Sequence, residues 1–375
     1  MNGSQRMESN INGNSPIRCL GCEAPYPQLG FPHLCPECGG LYDFAEPLKY
    51  TTPSQSDTRS LWRYRETFPL QAQVKSVSLG EGNTPLVPYD LKGKQVFFKC
   101  EYLNPTGSFK DRGTTILVSA ISSQKINRAV DDSSGNAGAS FAAYAARAGM
   151  EARIFIPAYA SGPKRKQMEA YGAELESIPG PRSAASEAVR EAVAGGETYA
   201  SHAHLPHGIA GMATTAFEIF EQLGRPPGSV ITPVGQGTLL IGLGRGFRAL
   251  LEAGLIRTLP KLIAVQAKAC APVWKKYMEG QSSFEQITEG ETIAEGIRIK
   301  APVRLDAVLE EIERSNGMVV AVDEDVIKDG RVALARMGLY VEPTSSVVWP
   351  ALDQTIGRLE QPIVAILTGS GLKSA

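Results

Sequence analysis

The sequence lacks an excess of either charge, a long apolar run and an internal repeat. Its 38 lysines and arginines are offset by 39 aspartates and glutamates, and because the basic residues are spread along the chain we expect no nucleic-acid partner. No apolar run approaches a membrane span, and no repeat has solenoid length. The polar start MNGSQRMESNINGNS lacks the charged and apolar regions of a signal peptide. We therefore expect a cytoplasmic protein with no membrane partner.

The length and composition favour a folded chain of more than one domain. The 375 residues exceed one typical domain, and a hydrophobic content of 43% supplies a sizeable core. Apolar strand patterns alternate with helical patterns, as in the strand 152–156 and the helices near 162–171 and 183–194 that follow it. This alternation predicts an α/β fold whose parallel sheets are covered by helices on both faces. A Ser/Thr-rich linker from Tyr50 to Ser60 precedes this part of the chain.

Four of the six cysteines form two CxxC pairs near the start of the chain. This spacing is typical of four thiolates around a tetrahedral zinc ion. Disulfides are disfavoured in a reducing compartment, and a redox dithiol would not need two such pairs. Arg18 is offset by Glu23 and Glu37, so the positive surface that nucleic acid requires is missing here. We predict a structural zinc ribbon over residues 16–46, with the ligands Cys19, Cys22, Cys35 and Cys38.

The glycine-punctuated segment NPTGSFKDRG, residues 104–113, offers a single amine, Lys110, where a helical pattern begins. A primary amine condenses with a carbonyl to give a Schiff base, which is the entry to pyridoxal-phosphate chemistry. Taken alone, Lys110 could equally be a solvated lysine beside Asp111 and Arg112. Only the wider sequence decides between the two interpretations.

A turn of small residues, DSSGNAGAS at 132–140, runs into a helical pattern at 141–147. Unpaired backbone N–H groups at a helix N-terminus favour an anion such as a substrate carboxylate. Asn136 could bond to a ring oxygen of a cofactor, and a plain capped helix start is the alternative. The candidate substrate-binding residues of the turn are Ser133, Ser134, Gly135 and Ala137.

A second glycine turn, in VITPVGQGTLLIGLG at 230–244, follows an apolar strand and precedes a helix. Its glycines let the backbone approach a phosphate closely, and a threonine hydroxyl can donate to it. The pattern is a phosphate cradle without the lysine of the Walker motif. The candidate phosphate-binding residues are Gly235, Gln236, Gly237 and Thr238.

The last apolar strand, in IVAILTGSGLK at 363–373, ends in Thr368. Ligands gather at the carboxyl edge of open α/β sheets, so we expect this hydroxyl at a binding site. A hydroxyl facing a pyridine nitrogen leaves the ring largely neutral. A neutral ring favours elimination or replacement over transamination.

Together these segments resemble the fold type II pyridoxal-phosphate enzymes, and most closely the threonine synthase family. The similar segments appear in the family's order and are LGEGNTPLV, NPTGSFKDRG, SSGNAGAS, TTAFEIFEQLG, PVGQG, TIAEGIRI, GLYVEPTSS and TGSGLK. The resemblance implies a two-lobed, tryptophan synthase beta-like fold with the cofactor in the cleft, and a homodimer. The implied organisation is a disordered tail at 1–15, the ribbon at 16–46, a large cofactor-binding lobe at 47–113 and 226–375, and a small mobile lobe at 114–225.

The resemblance also implies a role for each candidate residue. Lys110 would be the catalytic Schiff-base lysine, Asn136 the partner of the cofactor's ring hydroxyl, and Thr368 the partner of the pyridine nitrogen. Residues 235–238 would bind the cofactor phosphate and 133–137 the carboxylate of a small amino-acid substrate. Two residues, Glu295 and Gly296, would lie in the loop that passes the other face of the cofactor. Phe109 could pack near the ring or anchor the loop in the core, and we favour the anchor.

The sequence also departs from the family where the substrate phosphate binds. The family's arginine position holds Gly208, its turn threonine is Ala137, and its TGHGLK histidine is Ser370. An arginine fork is the usual device for binding a phosphoryl group, so its loss disfavours a phosphorylated substrate. The same segment carries three histidines that could substitute as donors or lie in a surface loop, namely His202, His204 and His207.

The implied activity is threonine synthesis from O-phosphohomoserine and water. The alternative enzyme is a serine or threonine dehydratase, or a cysteate synthase-like β-replacement enzyme acting on an unphosphorylated or activated serine. The AEGI sequence at 294–297 and the missing arginine favour this alternative. A catalytically silent pyridoxal-phosphate protein and a ribbon-mediated interaction module remain as non-enzymatic alternatives.

Overall fold

The computed structural model describes residues 15–53, 59–160, 162–280 and 289–374. The predicted tail at 1–15 lies outside these residues except for Ser15, and part of the predicted Ser/Thr-rich linker also lies outside them. The strands are β1 (Ile17–Cys19), β2 (Tyr42–Phe44), β3 (Leu86–Leu91), β4 (Lys94–Lys99), β5 (Arg128–Asp131), β6 (Glu151–Pro157), β7 (Glu174–Ile178), β8 (Ser229–Pro233), β9 (Lys261–Ala267), β10 (Met318–Val322) and β11 (Ile363–Ile366).

The helices alternate with these strands through most of the chain. They are α1 (Lys110–Ser123), α2 (Asn136–Ala148), α3 (Pro163–Ala170), α4 (Arg182–Ala194), α5 (His207–Leu223), α6 (Thr238–Glu252), α7 (Pro272–Glu279), α8 (Leu305–Arg314), α9 (Glu324–Arg336), α10 (Pro343–Ser346) and α11 (Val348–Thr355). Short 3-10 turns lie at Leu61–Thr67, Glu101–Leu103, Lys268–Cys270, Glu295–Ile297, Ile356–Arg358 and Gly371–Lys373. The predicted strand at 152–156 and the predicted helices near 162–171 and 183–194 are confirmed as β6, α3 and α4.

The larger sheet has the strand order β10-β9-β8-β11-β4-β3. Five of its strands are parallel, but the edge strand β3 runs antiparallel to β4. The predicted fold class with parallel sheets is confirmed, and the larger sheet has this one antiparallel strand at its edge. The reason is local: Lys92 and Gly93 both have positive φ, 54° and 74°, and a two-residue turn of this kind joins antiparallel strands.

The smaller sheet consists of β5, β6 and β7, all parallel. Its helices α2, α3 and α4 follow its strands in turn, as the βαβ pattern requires. A small apolar core lies between α4 and this sheet and contains Val130, Phe155 and Val189. The sequence therefore builds two separate α/β sheets, as predicted for the fold class.

Helix α5 packs closely on α6, the first helix after β8. Gly242 and Gly246 of α6 make the approach possible, because a Cβ at Gly246 would lie 2.5 Å from the carbonyl oxygen of Ala213. Ile209 and Phe217 of α5 are buried in the same core as the large sheet. The lobe limits given above stay a prediction.

Two further features complete the fold. The ribbon strands β1 and β2 pair antiparallel, with Cys19 opposite Tyr42, and the ring centroids of Tyr26 and Tyr42 are 4.6 Å apart in its core. Among the described residues, no helix has both the length and the apolar character needed to cross a membrane.

Candidate active site

Lys110 is the first residue of α1 and is only partly exposed. Burial lowers the pKa of its amine to about 8, although the negative charges of Asp131 and Glu342 act in the opposite direction. The amine lies 4.8 Å from the ring centroid of Phe109, and that ring packs against the core of the large sheet. Phe109 therefore acts as the expected anchor for the loop that carries the lysine.

The lowered pKa of Lys110 predicts a pH-dependent reactivity of the cofactor-free protein. Competitive labelling with acetic anhydride should modify Lys110 half-maximally near pH about 8, because only the neutral amine is a nucleophile. An ordinary lysine amine titrates near ~10.4. Peptide mass spectrometry at a series of pH values measures this midpoint, and a midpoint above pH ~10 would contradict the prediction.

Thr368 follows strand β11 and lies beside the loop that carries Lys110. The amide of Phe109 donates to the carbonyl oxygen of Thr368 at 3.0 Å, and Ser108 pairs with Gly369. The Thr368 hydroxyl is 2.9 Å from Ser345 Oγ, which also accepts from the Gly369 amide at 2.7 Å. Two hydroxyls therefore meet where one was predicted. Ser345 was missed, although it lies in the GLYVEPTSS segment already noted.

The turn of small residues at 132–137 is held in place by the hydrogen bonds of its first residue, Asp132. The Asp132 carboxylate accepts from Arg182 at 2.9 Å, from the Ser186 hydroxyl at 2.6 Å and from the Tyr199 hydroxyl at 2.8 Å. Although burial opposes it, Arg182 holds the pKa of Asp132 below its ordinary value. No local pattern indicated this cluster, because its members lie up to 67 residues apart.

The turn ends at Gly135, and α2 begins at Asn136 with no side chain capping it. The first N–H groups of a helix lack intrahelical partners, so the turn can donate to an anion. Ser133 and Ser134 are partly exposed there, and Ala137 is buried behind them. Gly138 is needed for this turn, since a Cβ on it would lie 1.9 Å from the Ser133 carbonyl oxygen.

Asn136 is held in place by Glu342, a residue that was not predicted. Asn136 Nδ2 donates to Glu342 Oε1 at 2.7 Å, and Lys164 Nζ lies 3.0 Å from Glu342 Oε2. Asn136 Oδ1 is buried and has no hydrogen-bond partner among the residues that the structure describes. A buried polar atom of this kind normally has a partner, so it fits a donor such as the ring hydroxyl of a cofactor.

The phosphate cradle at 235–238 joins β8 to α6. Gly237 has φ of 84°, and Gln236 Oε1 accepts from the Val303 amide at 3.0 Å. A Cβ on Gly235 would lie 3.0 Å from the Gly296 carbonyl oxygen. The loop with Glu295 and Gly296 therefore packs directly on the cradle, with the Glu295 side chain exposed.

Gly237 provides a test of the cradle. A Cβ there would lie 2.1 Å from Val308 Cγ2 of α8. Gly254 has φ of 72° and nothing within 4 Å of a built Cβ. An alanine at Gly254 would therefore have the same backbone strain as one at Gly237, but no steric clash. Gly254→Ala should cost about 1–2 kcal/mol, and Gly237→Ala a further ~1–3 kcal/mol from overpacking. Denaturant unfolding measures both variants, and equal costs would contradict the clash.

These residues fit pyridoxal phosphate. The protein offers a lysine amine of lowered pKa, a buried amide oxygen that lacks a partner, a glycine cradle at a helix N-terminus and a pair of hydroxyls at a strand end. These are the groups that would bind the aldehyde, the ring hydroxyl, the phosphate and the pyridine nitrogen, respectively. The individual residue roles stay predictions.

The possibility of a surface loop is wrong for His207, which is 5% exposed, whereas His202 and His204 are partly exposed. Burial lowers the pKa of His204 to about 4 and that of His207 to about 3. Burial and the charge of Lys110 also lower the pKa of His202. His204 and His207 contact aromatic rings of the ribbon. The sequence suggested exposure because the segment is polar, and contacts with the distant ribbon cannot be read from it.

Gly208 and Ser370 have structural roles at the positions where the family's arginine and histidine were expected. A Cβ on Gly208 would lie 3.3 Å from Gly113 Cα, so Gly208 lies at the contact between α1 and α5. Ser370 Oγ accepts from the Leu372 amide at 3.3 Å. Beyond it, Lys373 Nζ donates to the carbonyl oxygen of Thr106 at 2.8 Å, and burial lowers its pKa to about 8.

The four ribbon cysteines lie together in the structure. Their sulfur atoms are all within 4.8 Å of one another, and Cys19 and Cys38 are buried and exposed, respectively. The Gly21 amide lies 3.3 Å from Cys19 Sγ and the Gly40 amide 3.4 Å from Cys38 Sγ. Four sulfurs at this separation, with backbone donors directed at them, fit a tetrahedral metal ion.

Comparisons with known proteins agree with this site. Residues 77–369 match the family described as pyridoxal-phosphate dependent enzyme. The threonine synthase of Methanocaldococcus jannaschii is 33% identical over 95% of this chain and 92% of its own length. The threonine synthase of Synechocystis sp. is 34% identical over 83% of this chain and 82% of its own length.

Solved structures share the fold. Maize serine racemase superposes with a TM-score of 0.68 at 23% identity, covering 77% of this chain and 88% of that one. The threonine deaminase of T.th. superposes with a TM-score of 0.66 at 27% identity, covering 77% of this chain and 92% of that one. The chain therefore belongs to the pyridoxal-phosphate-dependent enzymes and, within them, to the threonine synthase family.

Proposed function

We propose that this enzyme converts O-phosphohomoserine and water to threonine and phosphate. The observation that carries the proposal is the identity of 33% to a threonine synthase over nearly the whole chain. Lys110, the first residue of α1, supplies the amine, and burial lowers its pKa to about 8 although Asp131 and Glu342 act in the opposite direction. The overall reaction breaks the bond between Cγ and the phosphate oxygen and one C–H bond at Cβ, adds a proton at Cγ and adds a hydroxyl from water at Cβ, and phosphate leaves.

Different residues of the chain would bind the substrate and transfer its protons. The first-turn amides of α2, with Ser133 and Ser134, would bind the substrate carboxylate and fix the α carbon. The Lys110 amine would remove the α proton and return protons later, since its lowered pKa gives it a larger neutral fraction near neutral pH than an ordinary lysine amine has. When bound, pyridoxal phosphate supplies an electron sink for the negative charge that develops at the α carbon. Thr368 and Ser345 would face the pyridine nitrogen with hydroxyl groups, which carry no charge.

Purified protein with pyridoxal phosphate tests the proposal when it is mixed separately with O-phosphohomoserine, threonine and serine. We expect equal amounts of phosphate and threonine from O-phosphohomoserine. The proposal fails if no phosphate is released, or if phosphate is released together with a 2-oxo acid and no threonine. Phosphate, threonine and oxo acid are measured in the same samples.

A dehydratase is the second candidate, and the position of Gly208 favours it. Because Gly208 packs on Gly113, this position cannot direct an arginine at a substrate phosphate. Arg182, the basic side chain bonded to the first residue of the turn, is already paired with Asp132. Release of 2-oxo acid and ammonia from threonine or serine, without phosphate chemistry, would support this second reaction.

We further propose that the cysteine cluster binds one structural zinc ion. Metal analysis of the purified protein should find one zinc per chain, because four thiolates complete a tetrahedral site. Cys35→Ala should lose the zinc and destabilise the ribbon, since metal binding supplies folding free energy to so small a unit. Cys270→Ala is the matched control, because Cys270 is buried outside the cluster. Retention of zinc by Cys35→Ala would contradict the site.

We also propose a homodimer and a cytoplasmic location. Both rest on resemblance to the family, with the polar N-terminus supporting the location. Light scattering of the purified protein measures the mass directly, and the mass of a single chain would reject the dimer. Fractionation of the native cells tests the location.

A further inference from the structure

The ribbon docks on the segment 199–207, which carries the buried His207 and the partly exposed His202 and His204 and is called the histidine segment below. The ring of His207 lies 5.2 Å from that of Tyr26 and 4.8 Å from that of Phe31. Ribbon residue His33 contacts the rings of Tyr199 at 5.2 Å and His204 at 5.4 Å. Apolar and aromatic contacts of this kind fix the position of both partners.

Arg304 forms hydrogen bonds to both sides of the interface between the ribbon and the histidine segment. Its guanidinium donates to the carbonyl oxygens of Ala203 at 3.0 Å and His204 at 2.6 Å, both in the histidine segment. It also donates to the ribbon, to the Tyr42 carbonyl oxygen at 2.7 Å and to Asp43 Oδ2 at 3.0 Å. The Arg304 and Asp43 side chains are only 1% and 7% exposed. One buried guanidinium thus holds the ribbon and the histidine segment together.

The other side of the histidine segment faces the candidate active site. The Ala200 amide donates to the Val130 carbonyl oxygen at 2.8 Å, which fixes the segment to β5. The Tyr199 hydroxyl donates to Asp132, the first residue of the turn that would bind the substrate carboxylate. A shift of the segment would therefore move Asp132 and the turn that begins with it.

We propose that Asp43 and Arg304 are positioning residues, through which the docked ribbon holds Tyr199, and with it Asp132 and the turn that follows, in the arrangement that binds the amino-acid substrate. Neither residue touches the substrate, so their effect should appear in substrate binding and not in proton transfer by Lys110. The contacts are between parts of the polypeptide and do not depend on which metal the cysteines hold. The assay of this inference rests on the proposed function.

The test uses the full-length holoenzyme and the variants Asp43→Asn and Arg304→Lys. Asp43→Asn removes the charge that Arg304 and Arg245 share. Arg304→Lys keeps a positive charge but lacks the fork that reaches several acceptors. Both variants should raise KM for O-phosphohomoserine roughly 10- to 100-fold, as misplaced positioning groups do, while kcat changes less than about 3-fold.

Hydrogen exchange supplies a readout that needs no substrate. In both variants, peptides covering 199–207 should exchange at least about 10-fold faster than in the wild type, while α6 peptides remain unchanged. Arg248→Gln is the matched control: it breaks the pair between Arg248 and Glu311, 2.8 Å apart, in the neighbouring α6–α8 contact. This variant should leave both KM and the exchange of 199–207 unchanged.

The inference is overturned if KM stays within twofold of the wild type in both variants, or if the segment exchanges at its wild-type rate. If neither variant folds, His33→Ala replaces them, because it removes only ring contacts. An unchanged KM or an unchanged exchange rate of 199–207 in His33→Ala then overturns the inference. If the wild-type enzyme does not act on O-phosphohomoserine, the proposed function has failed, and the exchange of 199–207 alone decides the inference.

Discussion

Lys110→Ala should abolish the enzymatic activity, with a loss in turnover of at least about 10³-fold. One amine would both hold the cofactor and move the substrate's α proton, so its removal eliminates two functions at once. The only other buried lysine with a pKa lowered to about 8, among the described residues, is Lys373. Its amine is already bonded to Thr106 and cannot take over either function without breaking that contact.

The loss should be chemical and not structural. Lys110 makes no ion pair among the described residues, and its burial as a charged group costs free energy, so Lys110→Ala should fold at least as stably as the wild type. Lys166→Ala, which alters an exposed lysine of α3, is the matched control and should keep full activity. Turnover and thermal melting are measured on all three proteins. Activity within tenfold of the wild type in Lys110→Ala would contradict the assigned role.

Arg112→Met should produce the largest loss of stability. Arg112 is fully buried and makes bonds of 2.6 and 2.7 Å to Glu101 and of 2.8 and 2.7 Å to Glu218. Removing one partner of a buried ion pair leaves an uncompensated charge and costs about 3–5 kcal/mol. From the average unfolding entropy per residue, this corresponds to a fall in Tm of roughly 4–6 °C. Calorimetry of variant and wild type measures the difference.

Two comparisons make this prediction specific. Arg314→Met removes an exposed i,i+4 pair with Glu310 and should cost under about 1 kcal/mol. The cost of Arg112→Met should also depend on pH. Although burial opposes it, Arg112 holds the pKa of Glu218 below its ordinary value. The Arg112–Glu218 pair therefore stabilises the fold fully above the pKa of Glu218 in the unfolded chain, near ~4.3. This stabilisation is lost as the pH falls through the lower pKa of Glu218 in the folded protein. Equal costs for the two variants at neutral pH would contradict the account.

Local patterns predicted the parts of the site that depend on local geometry. The cradle at 235–238 needs glycine because Gly237 adopts φ of 84°, and a positive φ at glycine is readable from neighbouring residues. Lys110 at the start of α1 and Thr368 at the end of β11 follow from a helix start and a strand end, which the alternation of patterns locates. These are properties of ten or fewer consecutive residues.

Residues that depend on long-range packing were not predicted. Glu342 bonds to Asn136 across 206 residues, and no local pattern connects the two. The histidine segment has the composition of a polar loop, but ribbon residues such as His33 and Phe31 pack against it. The antiparallel β3 escaped prediction because the Lys92–Gly93 turn was not recognised as a hairpin.

The proposed function requires a covalent bond between the Lys110 amine and pyridoxal phosphate. Borohydride reduction of the freshly purified enzyme, followed by peptide mass spectrometry, detects this bond. We expect one reduced phosphopyridoxyl group per chain, on the peptide that contains Lys110. A modified Lys373, or an unmodified Lys110 in protein that is yellow before reduction, would contradict it.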